Sequence, residues 1–234
     1  MMQVMDKRER GFQDTSRCMT SLSEMGLSAD EMELLSQNSK EVVFSQGETV
    51  IKQSTFAEHV FYLEKGLVKI ILESEYRKRF ACGLLSSGSF FGLSFLHSEH
   101  FHFGAETLKE STICQIRKDA FRQVIEDNGR ANRFMLEWYG QQYQYLFRKL
   151  EVNSTRNSHG KLATTLYGLC DEVYRREKVF EFLNRGDLAE LSGISRESTN
   201  KILREFENDR LIDISTTGIE VKKPGLLKRL SMIG

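Results

Sequence analysis

The stretch that most constrains this chain is SRESTNKILREFEN, Ser195 to Asn208, because its residues divide cleanly between two sides of a helix. Arg196, Glu197, Asn200, Lys201 and Arg204 share one side, while Thr199, Ile202, Leu203 and Phe206 share the other. The first side stays free for polar contacts and the second packs. Upstream, Asn184 followed by Asp187 reads as an N-cap with an acid in the first turn of a short helix, which Gly193 ends. Ser195 caps the next helix. Leu211-Ile212 and Ile219 with Val221 then flank Thr216-Thr217-Gly218, the pattern of a β-hairpin. Two short helices at a tight turn followed by a hairpin make a winged helix-turn-helix.

The remaining sequence has room for a second core. A chain of 234 residues with 40% apolar and 28% charged residues has the balance of a two-domain soluble protein. Formal net charge is zero, and from Asn153 onward 14 Lys and Arg stand against 12 Asp and Glu. Affinity for a polyanion must therefore come from placed bases on the free helix side rather than from bulk charge. The four cysteines, Cys18, Cys82, Cys114 and Cys170, show no CxxC spacing and no secretory leader precedes them, so free thiols in a cytoplasmic protein are expected. No apolar run approaches the length of a membrane span.

In chain order, Met1 to about Glu24 is polar and Met-rich and reads as a poorly ordered or loosely docked extension. Ser28 to Gln37 predicts a short capped helix with Met32, Leu34 and Leu35 on its buried side. From Glu41 to Ile116, apolar runs of strand length (EVVF, ETVIK, HVFYLEKG, LVKIIL, RFACGLL, GAETL, TICQI) alternate with turn residues, which predicts an antiparallel sandwich or barrel. Glycines 47, 66, 83, 88 and 92 fall at the expected turns or bulges. A short helix over Lys118–Asp127 precedes a long one from about Arg130 to Asn153. In the long helix Leu136, Tyr139, Tyr143, Leu146 and Leu150 recur at alternating spacings of three and four, a heptad seam that predicts a parallel homodimer. A second stripe, Phe134, Trp138, Tyr145 and Val152, faces elsewhere and suits packing on the β-domain. NSTRNS, Asn153 to Ser158, breaks the pattern and marks a hinge. A helix from Ser158 to about Tyr174, with Leu162, Leu166, Leu169 and Val173 on one side, is expected to roof the winged domain.

Two segments resemble the CRP/FNR superfamily of bacterial transcription regulators: QGETVIKQSTFAEHVFYLEKGLVKI, residues 46–70, and RGDLAELSGISRESTNKILREFENDRLI, residues 185–212. The resemblance spans roughly residues 28–234. It implies an α+β chain with an N-terminal β-roll sensor like a cyclic-nucleotide-binding domain, a long dimerisation helix and the C-terminal winged helix-turn-helix. The boundaries expected are 1–25 for the extension, 26–128 for the sensor, 129–153 for the helix and 154–234 for the DNA-binding domain. By resemblance, Arg196, Glu197 and Lys201 occupy the positions that contact base edges in the major groove. The chemistry agrees: guanidinium bonds guanine O6 and N7 together, carboxylate accepts from cytosine N4, and Lys reaches guanine as a point donor. Asn200 and Arg204 would meet an adjacent base or phosphate, and Ser195, Ser198 and Thr217 are candidate phosphate donors. Double-stranded DNA with a palindromic operator and RNA polymerase are the partners implied, in a regulator, activator or repressor, that is not an enzyme. No phosphate-binding glycine loop, GxSxG or HExxH motif is present.

The sensor departs from the family pattern. Members that bind cyclic nucleotides carry Gly-Glu-Leu followed by an Arg-Ser-Ala type cassette, whereas the corresponding segment here is FFGLSFLHSEHFHFGAETL. Gly92 remains, but Leu93 stands at the Glu position and His102-Phe103 near the Arg-Ser positions. A cyclic phosphate buried without an Arg is costly, so no cyclic nucleotide is expected. With Cys18 alone near the N-terminus, no iron-sulfur cluster is expected either. Three readings remain open for this segment. Phe91, Leu93, Phe95, His102, Phe103, Trp138 and Tyr145 could form an apolar effector pocket, which resembles the haem-dependent, nitric-oxide-responsive members of the superfamily and implies haem as cofactor in a nitric-oxide or redox sensor. His97, His100 and His102 could ligate haem or another metal. Alternatively the Phe residues complete the core, the histidines sit on a solvated loop, and the ligand is unknown or absent. A winged domain used only for protein contacts is the contrasting functional class.

Overall fold

The structure, a computed structural model, describes residues 22, 25–75 and 78–233. Helix α1 (Ala29–Gln37) opens under a capping box in which Ser28 Oγ accepts from the Glu31 amide and the Glu31 carboxylate accepts from the Ser28 amide. Eight strands follow: β1 (Ser39–Phe44), β2 (Thr49–Ile51), β3 (His59–Lys65), β4 (Leu67–Glu73), β5 (Arg79–Ser86), β6 (Ser89–Phe91), β7 (Gly104–Thr107) and β8 (Ser111–Arg117). They pair antiparallel in two four-stranded sheets, ordered β1-β8-β3-β6 and β2-β7-β4-β5. This is the expected sandwich.

Strand β3 shows why one of its runs lacks alternation. Phe61 and Leu63 enter the core between the sheets with Val68, Phe91 and Ile113. Val60 and Tyr62 enter a second core beneath the helices with Leu35, Phe121 and Met135. A strand buried on both faces reads as a continuous apolar run. The same second core holds Leu22 and Met25, both essentially inaccessible. The end of the extension expected to dock loosely is thus packed into the β-domain, and the earlier part of that expectation lies outside the described residues.

Helix α2 (Lys118–Asp127) leads through Asn128, whose side chain accepts from the amides of Arg130 and Ala131, into α3 (Gly129–Thr155). At 27 residues α3 is about 40 Å long. Its first half packs Ala131, Phe134, Met135 and Trp138 on the β-domain. Its second half crosses β5, where Tyr145 Oη donates to the Cys82 carbonyl at 2.8 Å. Gly83 permits this approach, since a Cβ there would lie 2.9 Å from Tyr145 Oη. Of the five glycines expected at turns or bulges, the other four (47, 66, 88 and 92) adopt positive φ, while Gly83 sits opposite a register shift in β4.

The chain then turns through Arg156 and Asn157 into α4 (Ser158–Gly168), α5 (Glu172–Arg176), α6 (Val179–Phe182), α7 (Arg185–Ser192), α8 (Arg196–Asn208), the hairpin β9 (Ile212–Ser215) and β10 (Gly218–Val221), and α9 (Pro224–Ile233). One expectation fails here. The helix predicted to run from Ser158 to Tyr174 stops at Gly168, and Asp171 accepts from the Val173 amide to start a new helix. Leu162, Leu166 and Leu169 are buried as expected, but the break turns Val173 outward and leaves it exposed. The winged-domain core is continuous with the second sheet: Leu67, Ala81, Leu84 and Leu108 join Leu162, Leu188, Leu203 and Ile212.

Candidate DNA interface and sensor segment

Helix α8 is built for two jobs. Thr199, Ile202, Leu203 and Phe206 are buried, and Arg196, Glu197, Lys201 and Arg204 are exposed on the opposite side. Its orientation is fixed by the turn before it. Asn184 and Asp187 form a reciprocal capping box on α7, Gly193 closes that helix in the left-handed region at φ 65°, and Ser195 Oγ accepts from the Ser198 amide at 3.0 Å. The Ser195 hydroxyl also donates to Ser198 Oγ at 2.9 Å, so these two residues first hold the helix start. Asn200 is half-buried, and its side-chain oxygen accepts from Arg185 at 3.1 Å. Arg185 is therefore an exposed base beside the reading side that the helix-wheel argument missed, because it lies on the preceding helix. Thr217 sits at the exposed tip of the hairpin with its hydroxyl 2.9 Å from Ser215 Oγ.

The back of α7 docks on the β-domain through charge. Lys69, on β4 and 4% exposed, places Nζ 2.5 Å from Asp187 and 2.6 Å from Glu190. Arg79 bridges Glu106 at 2.6 Å and lies 3.6 Å from Glu190. A second contact pairs Lys109 with Glu177, which also accepts from Ser87 Oγ at 2.6 Å. Burial pushes the Glu177 carboxyl up, but the hydrogen bonds from Lys109 and Ser87 outweigh it and hold it below the usual carboxylate range. Asp187 thus caps α7 with one oxygen and pairs across the domains with the other. Lys69, Arg79 and Glu190 gave no sequence signal for this, since a lone charge within a strand or helix reads as solvated.

The sensor segment is not gathered into one pocket. Phe91, Phe95 and Phe103 belong to the inter-sheet core, where Phe95 stacks edge-on with Phe101 at 5.0 Å and against Phe103 at 4.8 Å. Leu93, fully buried, lies in the other core with Trp138 at its margin. Tyr145 belongs to neither core and is held on the Cys82 carbonyl. His97, His100 and His102 are all exposed, His100 beside Phe56 and His102 against the edge of Phe95. Among the described residues no three His, Cys, Asp or Glu side chains converge as a metal site. The aromatic rings occupy the apolar space themselves and the imidazoles face solvent, so these residues do not fit an axially ligated haem. The reading that the Phe residues complete the core and the histidines sit on a solvated loop is the one this packing favours.

On α3 the seam residues Leu136, Tyr143, Leu146 and Leu150 are 68, 62, 52 and 61% exposed. Phe147, 66% exposed and stacked on Tyr143 at 6.3 Å, joins them. Tyr139 instead turns inward and donates to the Leu93 carbonyl at 3.3 Å. No helix among the described residues is long and apolar enough to cross a membrane.

Comparison with known proteins fits this geometry. Residues 41–128 match the cyclic nucleotide-binding domain model and residues 160–230 the Crp-like helix-turn-helix domain model. The transcriptional activatory protein AadR of Rhodopseudomonas palustris is 23% identical over 221 residues, covering 89% of this chain and 90% of its own. The cAMP-activated global transcriptional regulator CRP of Pasteurella multocida is 26% identical over 170 residues, covering 70% and 81%. The structure of FixK2 from Bradyrhizobium japonicum superposes with a TM-score of 0.70 at 16% identity, covering 82% of this chain and 96% of that one. With a β-roll, a long connecting helix and an outward-facing winged helix-turn-helix in that order, this chain belongs to the CRP/FNR family of DNA-binding transcription regulators.

Proposed function

We propose that the chain acts as a homodimer that grips a palindromic operator with two α8 helices and is gated by a small effector other than a cyclic nucleotide. The observation that carries this reading is the bare stripe of Leu136, Tyr143, Leu146, Phe147 and Leu150 on α3, whose opposite side is engaged by the β-domain. A contiguous exposed apolar stripe on a long helix is a surface for a partner, and its heptad spacing suits a second copy in parallel. Parallel pairing puts both winged domains at one end, where two α8 helices spaced about 34 Å apart meet successive major grooves. Arg196 then reads guanine, Glu197 accepts from cytosine, and Lys201 donates to guanine. Arg204 and Asn200, the latter steered by Arg185, reach the neighbouring base or phosphate, and Ser195, Ser198 and Thr217 reach the backbone.

The turn at Arg156–Asn157 is where the winged domain would swing, and the Lys69 cluster holds one orientation of it. An effector favouring another orientation shifts the balance between the two. In an activated dimer the exposed surfaces near the DNA would meet RNA polymerase, in the sense that AadR is named as an activator. Leu93 and His102-Phe103 leave the cyclic phosphate without a carboxylate-held ribose or a guanidinium, so calorimetry with cyclic AMP and cyclic GMP is expected to give no micromolar binding. Micromolar affinity for either would overturn that part of the reading. The core reading is tested by sedimentation of the protein alone and then with its own upstream DNA: a dimer binding one duplex supports it, and a monomer that retards no DNA at low salt refutes it.

A further inference from the structure

A cavity of about 430 Å³ opens where the second half of α3, the helix α4 and strand β5 meet. Its charged lining is unbalanced. Arg148, Lys149 and Lys161 line it, and Asp171 is its one carboxylate, already engaged in capping α5. Among the described residues none of the three bases has an ion-pair partner. Lys149 Nζ donates to the Leu191 carbonyl at 2.7 Å and stands 5.2 Å above the Phe80 ring, and Arg148 reaches only the Gln144 carbonyl of its own helix at 3.4 Å. Burial pulls the Lys149 ammonium down to about 8, as expected for a cation removed from water without a counter-charge.

The contrast with the rest of the interface decides what this means. Where Lys69 is buried and Lys109 partly buried between the same domains, each has a carboxylate partner. The three bases of the cavity have none, and its other walls are apolar or aromatic, including Leu84, Val152 and Tyr174. A volume of this size lies within the range of about 300–1,000 Å³ found for small-molecule sites. We propose that this hinge cavity is a ligand site separate from the β-domain interior, taking a small organic phosphate whose anionic end meets Arg148, Lys149 and Lys161 and whose body lies on the apolar wall. Arg148 and Lys149 belong to α3 and Lys161 to α4, on either side of the Arg156–Asn157 turn, so such a ligand ties the winged domain to the long helix at one angle. No seam residue of α3 lines the cavity.

Binding can be measured on the full chain without DNA, which keeps this inference distinct from the operator-reading proposal. Inorganic pyrophosphate, adenosine monophosphate and guanosine monophosphate serve as probes in calorimetry at fixed ionic strength. At least one is expected to bind saturably, one per chain, with affinity falling at least tenfold in Lys149→Met and in Lys161→Gln and unchanged in the remote surface variant Lys40→Gln. Should Lys149→Met fail to fold, Arg148→Gln at the exposed mouth takes its place. Absence of saturable binding by all three probes up to millimolar concentration, or equal affinity in the cavity variants and wild type, overturns the site.

Discussion

The winged domain and the β-domain use their polar residues in opposite ways. In α8 the side chains proposed to read DNA, Arg196, Glu197, Lys201 and Arg204, are exposed, and Thr199, Ile202, Leu203 and Phe206 beneath them are packed. In the segment from Phe90 to Leu108 the large apolar residues have gone inward, Leu93 with no exposure and Phe95 nearly so, while the histidines, His102 among them, have gone out. One domain has kept its contact surface and the other has filled its interior. The difference supports the proposal that operator specificity lies in the winged domain and that an effector binds away from the cyclic-nucleotide position.

The largest effect that would sharpen this contrast concerns the exposed stripe on α3, the helix that connects the two domains. Leu146→Glu together with Leu150→Glu is expected to convert a dimer to a monomer in sedimentation and to weaken operator binding by about two orders of magnitude or more, as the second half-site ceases to be an intramolecular event. Next is the charge cluster that joins the domains. Lys69→Ala leaves Asp187 and Glu190 facing each other in a dry interface and should remove about 3 kcal/mol in chemical denaturation, a penalty that adding Asp187→Asn should partly relieve. Equal stability of Lys69→Ala and wild type would mean the domains are not held in this orientation in solution.

Arg196→Ala is expected to cost about 1–3 kcal/mol of specific operator binding at fixed salt while leaving nonspecific binding nearly intact. Uniform weakening on all DNA would demote Arg196 to a phosphate contact. The smallest effect concerns Lys149. Its folded-state pKa of about 8 lies below the ordinary 10.5, so between these values the unfolded chain binds more protons and stability from this group rises with pH. Cys82, whose thiol burial pushes up, contributes with the opposite sign. In Lys149→Met the Cys82 thiol loses the cation that draws its pKa down, which destabilises the variant further as pH rises, so in thermal melts from pH 7.5 to 10 wild type should gain on the variant on both counts.

How far the sequence reached follows from the kind of interaction involved. The faces of α8, its Ser195 cap, the Gly193 turn and the β9–β10 hairpin are local, set by spacing within a dozen residues, and all were legible. So was the apolar stripe that α3 leaves exposed, apart from Tyr139, whose hydroxyl found the Leu93 carbonyl 46 positions away. The break after Gly168 was missed because one apolar stripe continued in register across Asp171, and capping outweighed it. Lys69, Glu190 and the three bases of the hinge cavity were invisible for a different reason. Their meaning comes from partners 111 to 121 positions distant in the charge cluster, or from the lack of any, and no local pattern records that.

The central claim is that α8 pairs, carried by a dimer, read a two-fold DNA site. A genome-wide binding footprint of the protein in its own cells tests it most directly. The account predicts inverted half-sites centred one helical turn apart, with guanine and cytosine at the positions facing Arg196 and Glu197. Enrichment at unpaired or directly repeated sites, or none above background, would contradict it.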